Sequence, residues 1–166
     1  MDCTECDYVF ADVAREDLRP RLEAAARGFK SLMSGTSTEV LRRRPAEAVW
    51  SPLEYTCHTR DVLWNLRDRI LLALVEDRPA FAPIYREHRV DLGRYNDEPP
   101  EQVGSAVQLG AGLLAWLVEG LTDEQLTRTG VYAGEDRDVL WIARQALHEA
   151  SHHLADAAKG TTASTG

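Results

Sequence analysis

Three histidines carry the chemistry this chain can be asked about. His148 and His152, in Ala146-Leu147-His148-Glu149-Ala150-Ser151-His152-His153-Leu154, stand four residues apart. On a helix each residue turns about 100°, so the two rings project from one face, one turn apart. One helix can supply two ligands to a metal ion in this way. A third ligand must then come from elsewhere, and His58, inside a second strongly marked helix, is the candidate. The expected metal ligands are therefore His58, His148 and His152. Neutral imidazoles suit zinc first, with nickel or iron as alternatives, and three protein ligands leave a position open for water or substrate. The same spacing also recurs by chance on helices, where both residues are ordinary half-buried or surface side chains. A Glu149/His153 pair is the alternative geometry, ranked lower because it needs the apolar side of the helix marked by Ile142 and Ala146. Asp61 and Asp156, each one turn beyond a histidine, are placed to accept the second ring N–H of a ligand. Each can equally be a surface acid paired with Arg60 or Arg144.

Other reactive residues carry weaker signals. Cys3-x-x-Cys6 is half of a zinc-type pattern, but no second cysteine pair completes a four-thiolate site. It is read as a pair of reduced terminal thiols. Cys57, turned about 100° from His58, is read as packing. His88 falls in a loop-like segment and is not counted as a ligand. Trp50, Trp141 and Arg144 could border a pocket; core packing explains the tryptophans equally well, and solvent the arginine. No residue is singled out as catalytic.

The elements that must position these groups follow from apolar spacing. Leu18, Leu22, Ala25, Phe29 and Leu32 form a helical stripe between Asp12 and Ser34, whose regular part is expected to begin at Pro20. Ser51-Pro52-Leu53-Glu54 is a capping box with proline at the first helical position, so a second helix is expected from Pro52 to about Glu76. Residues 79–100, with Pro79, Pro83, Pro99 and Pro100, fit neither period and read as a long connection with at most a short turn. A third helix is expected from Glu101 to about Leu121. Arg128 to Glu135 reads as a loop or loose hairpin. The last helix is expected from Asp136 to Lys159, stopped by Gly160. The expected architecture is all-α, a four-helix bundle with a long connection between helices 2 and 3. One domain over 1–160 and a disordered tail over 161–166 complete it.

Composition narrows the partners. The chain has 166 residues, 44% hydrophobic, with 19 Lys and Arg against 27 Asp and Glu and a net charge of -8. This gives no attraction toward a polyanion, so neither nucleic acid nor an anionic membrane surface is expected, and Arg42-Arg43-Arg44 reads as a solvated turn. The longest nearly apolar run, Leu109 to Leu121, falls short of the roughly 20 residues of a membrane span. With an odd three cysteines and no secretory signal, a soluble cytoplasmic protein is expected.

The pattern Trp50-Ser51-x-x-Glu54-Tyr55-x-x-His58-x-x-Asp61, followed by His148-Glu149-x-x-His152-His153-Leu154-x-Asp156, resembles the DinB-like superfamily of metal-binding four-helix bundles. The resemblance spans the chain from first helix to last, and the N-terminal cysteines are similar to an actinobacterial subgroup. It implies a divalent metal on His58, His148 and His152 and a crossing connection between the second and third helices. It also implies a homodimer. Members with known activity are metal-dependent thiol transferases using mycothiol or bacillithiol, and maleylpyruvate isomerases. The resemblance therefore implies a transferase with a small-molecule substrate, joining a mycothiol-like thiol to a small electrophile, with mycothiol as co-substrate. The alternative is a non-catalytic metal- or small-ligand-binding bundle of stress response.

Overall fold

The computed structural model describes residues 3, 4 and 6–163. Its four long helices are α1 (Arg15–Gly35), α3 (Pro52–Val75), α5 (Pro100–Glu119) and α7 (Val139–Ala163). Around the bundle they follow the order α1, α5, α3, α7, each packed on two neighbours. Leu18, Leu22, Phe29, Leu63, Leu66, Ile70, Leu114, Ile142 and Leu147 fill the space between them and are fully buried. The four-helix bundle read from the sequence is the fold. Among the described residues, no helix is long and apolar enough to cross a membrane.

Helix α3 begins as its capping box predicts. The Glu54 amide donates to Ser51 Oγ at 3.1 Å, and the Ser51 amide donates to Glu54 Oε2 at 2.7 Å. Glu54 is buried, and Arg44 grips its carboxylate through Nε at 2.8 Å and Nη2 at 2.7 Å. One arginine of the expected solvated run is thus committed to a carboxylate that would otherwise be buried unpaired. Two boundaries differ from the sequence reading. Helix α1 starts at Arg15 with Pro20 inside it, because one missing N–H near the first turn interrupts the ladder without ending it. Helix α7 starts three residues later than expected, where Asp138 Oδ1 accepts from the Trp141 amide at 2.6 Å, and runs through Gly160 to Ala163. Gly160 allows close packing there, since a Cβ would lie 3.0 Å from Pro52 Cγ and would push it back by a few tenths of an ångström. Thr161 to Ala163, expected in the tail, are helical, and 164–166 lie outside the described residues.

The connection between α3 and α5 holds a short helix α4 (Arg86–Leu92) and a 3-10 turn at Tyr95–Asp97. Tyr95 pins it to α3: its ring is buried and its hydroxyl donates to Asp61 Oδ2 at 2.5 Å. The short helices α2 (Thr38–Arg42) and α6 (Asp123–Leu126) fill the other turns. The segment expected as a loop or loose hairpin is a hairpin of β1 (Thr129–Tyr132) and β2 (Glu135–Asp138), with Thr129 opposite Asp138. Ala133 and Gly134, at φ 51° and 86°, make its two-residue turn. Arginines close two helix ends. Arg128 donates to the carbonyls of Ala73 and Glu76 at the end of α3. Arg15 donates to those of Val118, Glu119 and Leu121 at the end of α5.

Candidate metal centre

Helix α3 carries His58 inward, where it is 2% exposed. Facing it on α7 are Glu149 and His153, one turn apart. His58 Nε2 lies 3.7 Å and His153 Nε2 3.2 Å from Glu149 Oε2. The two imidazole rings meet edge to face at 5.0 Å. Trp50 packs on His58 at 5.1 Å and Tyr55 stacks on His153 at 5.4 Å. Gln145 donates to the second oxygen of Glu149 at 2.7 Å, which fixes the carboxylate's orientation. Burial alone would raise the Glu149 carboxyl, but hydrogen bonds and charge from His153 and His58 outweigh it and hold the group well below the usual carboxylate range.

Two nitrogens, three ligand atoms in all, lie within 4.8 Å of one another in this cluster once the Glu149 oxygen is included. Around a tetrahedral zinc, with bonds of about 2.0–2.1 Å, neighbouring N and O ligands stand about 3.3–3.4 Å apart. The distances of 3.2 and 3.7 Å bracket that spacing. His58 Nδ1 and His153 Nδ1 are buried without a hydrogen-bond partner. A His, Glu, His donor set fits a divalent cation held by three protein groups.

A cavity of about 200 Å³ opens beside the cluster, lined by His58, Asn65, Arg69, Tyr132 and Glu149 among others. Arg69 is 8% exposed and lies over the rings of Tyr132 at 4.8 Å and Phe81 at 5.5 Å. It donates to the Ala82 carbonyl at 2.5 Å, while its Nε and the side-chain oxygen of Asn65 are buried without hydrogen-bond partners. Among the described residues no carboxylate pairs with Arg69. Asn65 and Arg69 follow His58 at seven and eleven residues, which places all three along one face of α3. That spacing was the signal for the cavity wall. Tyr132, brought in by the hairpin, gave none.

The structure divides the expected ligands. His58 joins Glu149 and His153, the pair ranked lower from the sequence. His148 and His152 gather with Cys3 and Cys6, and His152 also stands with His153 and Asp156. The reason is rotation: His148 and His152 sit about 100° around α7 from Glu149 and His153, toward the N-terminal segment and not toward α3. Asp61 receives Arg60 at 2.8 Å, Arg89 at 3.3 Å and the Tyr95 hydroxyl, so it is an arginine and tyrosine partner. Asp156 does stand beside the histidines, 3.2 Å from His152 Nε2 and 3.6 Å from His153 Nδ1. Cys57 packs in the core with its thiol directed at the Tyr95 carbonyl, and His88 is exposed on α4. Trp141 stacks on Phe10 at 5.2 Å, and Arg144 donates to the Val13 carbonyl at 2.9 Å.

A helical bundle with histidine and carboxylate donors converging from facing helices is a familiar framework for metal chemistry. The chain belongs to the DinB superfamily, whose family model matches residues 21–157. It is similar in fold to YfiT from Bacillus subtilis, described as a probable metal-dependent hydrolase with an unusual four-helix bundle topology. That likeness has 18% identity and a TM-score of 0.85, over 97% of this chain and 93% of that one. A mycothiol-dependent maleylpyruvate isomerase matches at 12% identity and a TM-score of 0.70, over 90% of this chain. A histidine-to-alanine mutant of such an isomerase matches at 13% and 0.71. The chain spans 62% of the isomerase's length. No curated protein matches it significantly in sequence.

Proposed function

We propose that this chain is a metal-dependent enzyme whose cation is held by His58, Glu149 and His153, and that it joins a low-molecular-weight thiol of the mycothiol type to a small electrophile. The observation that carries this reading is the three-donor cluster opening onto a cavity with buried, unsatisfied polar groups. This ligand set keeps His58 from the sequence reading and takes Glu149 and His153 in place of His148 and His152. The likeness in fold to a mycothiol-dependent isomerase and to a probable metal-dependent hydrolase supports metal chemistry on a small molecule.

Bound there, a divalent cation supplies the Lewis acidity that makes a thiol or water a better nucleophile at neutral pH. The chain's own residues do the rest. Gln145 orients Glu149, and Trp50 and Tyr55 wall the two histidines with aromatic surface. Arg69 is a buried guanidinium with donor capacity left over, suited to a carboxylate or carbonyl oxygen of the electrophile. Asn65 presents an acceptor in the same cavity.

The test is elemental analysis of protein made without a histidine tag, beside His58→Ala and His153→Ala, with thiol-dependent consumption of a chlorinated arene as the activity. The expected result is metal and turnover in the parent, with one metal equivalent and the turnover lost in each variant. Metal content and turnover unchanged in both variants would overturn the ligand assignment. Metal-dependent hydrolysis without a thiol would overturn the transfer reaction, and bound metal with no turnover would leave a binding protein.

A further inference from the structure

The second donor cluster is not used by that reaction. We infer that Cys3, Cys6, His148 and His152 form a separate, closed zinc site that fastens the N-terminal segment to α7. The sequence supplies two halves of a familiar set, C-x-x-C at one end of the chain and H-x-x-x-H near the other. Each has the spacing of a two-cysteine, two-histidine zinc site. Sequence reasoning sought a second cysteine pair to complete the first half, whereas the fold completes it with histidines.

All four donor atoms lie within 4.8 Å of one another. Cys3 Sγ stands 4.0 Å from His152 Nδ1, against about 3.6 Å for sulfur and nitrogen on one tetrahedral zinc, so little movement is needed. His148 gives the second, independent observation. Both of its ring nitrogens are buried and neither has a hydrogen-bond partner, a costly state that a ligand relieves. Its ring is held between Tyr8 at 5.0 Å and Phe10 at 5.6 Å, so packing fixes its direction. His152 is oriented as metal-bound histidines are. Its Nε2 lies 3.2 Å from Asp156 Oδ2, leaving Nδ1 toward Cys3. The cysteines are thiols and not a disulfide.

Four protein donors close a tetrahedral coordination shell, so this site is structural, in contrast to the three-donor cluster on the other face of α7. What it fastens is already seated. The Tyr8 hydroxyl donates to the Arg144 carbonyl at 2.8 Å, and the Arg144 guanidinium returns a bond to the Val13 carbonyl. Zinc binds two thiolates and two neutral imidazoles with release of the thiol protons to solvent, and no redox partner is required.

The experiment uses the full-length, tag-free chain loaded with zinc or with cobalt(II), whose sulfur-to-metal charge-transfer absorption reports thiolate ligation. Three proteins are compared: the parent, Cys3→Ser/Cys6→Ser and His58→Ala. The expected result is a thiolate–cobalt band in the parent that persists in His58→Ala. In the double cysteine variant the band disappears, together with one zinc equivalent per chain. A zinc content and cobalt spectrum unchanged by the cysteine substitutions would overturn the site, as would a band lost in His58→Ala alone. Loss of one metal equivalent in His58→Ala with the band retained judges the other cluster separately. Thiol alkylation of the parent keeps the proposal testable if the double variant folds poorly. Zinc should slow alkylation of Cys3 and Cys6 and a chelator should restore it, whereas equal rates would refute the site.

Discussion

Residues 148 to 153 present two donor pairs on one helix, each with i, i+4 spacing and displaced from the other by a single residue. Glu149 and His153 meet α3, where His58 completes a set of three beside a cavity. His148 and His152 meet the N-terminal segment, where two cysteines complete a set of four against Tyr8 and Phe10. One pair is two histidines and the other a glutamate and a histidine, both able to hold a metal at the same spacing, so the deciding difference is what each faces. A buried neighbour helix contributes one ligand and leaves a coordination position open, while the N-terminal segment contributes two and fills a tetrahedral shell. The role of a donor pair on a helix is set by the packing opposite it.

Substitutions can break this comparison, beginning with the largest effect. Removing a direct ligand should exceed the roughly 10- to 100-fold loss typical of outer-shell changes, so His58→Ala should weaken metal binding at its own cluster by more than about 100-fold. Competition with a chelator would measure it, and the cysteine-dependent absorption should stay unchanged. Arg69→Ala should leave metal content intact and raise KM by about 10- to 100-fold for an anionic or carbonyl electrophile, as expected for a lost hydrogen bond to a charged group of about 1.5–3 kcal/mol. An unchanged KM would remove Arg69 from substrate binding. Asp156 stands between the two histidine faces, so Asp156→Asn should lower affinity at both clusters by about 10-fold. A change confined to one would show that they are energetically separate. Tyr95→Phe should lower stability by about 1 kcal/mol, measured by urea unfolding, with metal content at neither cluster altered. A metal loss there would place Asp61 in the ligand support after all. The smallest effect is a null control. Burial pushes the Cys57 thiol well above its ordinary value, so it should resist alkylation in the folded protein.

Much of this architecture was legible because local chemistry decided it. The box at Ser51 and Glu54, the prolines of residues 79–100 and the apolar stripe of α1 each act within a few residues. The grouping of the histidines was not legible, because a step of one residue changes the facing side by about 100° and only tertiary packing says which side meets α3. The apolar surroundings of Glu149 and His153 weighed against them in the sequence. In the fold that is the buried side, where a centre inside a bundle has to lie. Cys3 and Cys6 looked incomplete because their partners are more than 140 residues away in the chain. Pro20 and Gly160 misled for a simpler reason: each usually marks a helix boundary, and here the ladder tolerates the first while the second packs closely on Pro52.

The arginines that close α3 and α5 couple distant parts of the chain. The last carbonyls of α5 are held by Arg15 at the start of α1, and those of α3 by Arg128 beside the hairpin. Helix ends usually fray independently, but here the final turns can open only as those remote segments let go. Amide hydrogen exchange at the C-terminal turns of α3 and α5 should therefore report on the hairpin and on the first turn of α1. The bundle would then open in cooperative blocks drawn from separate stretches of sequence.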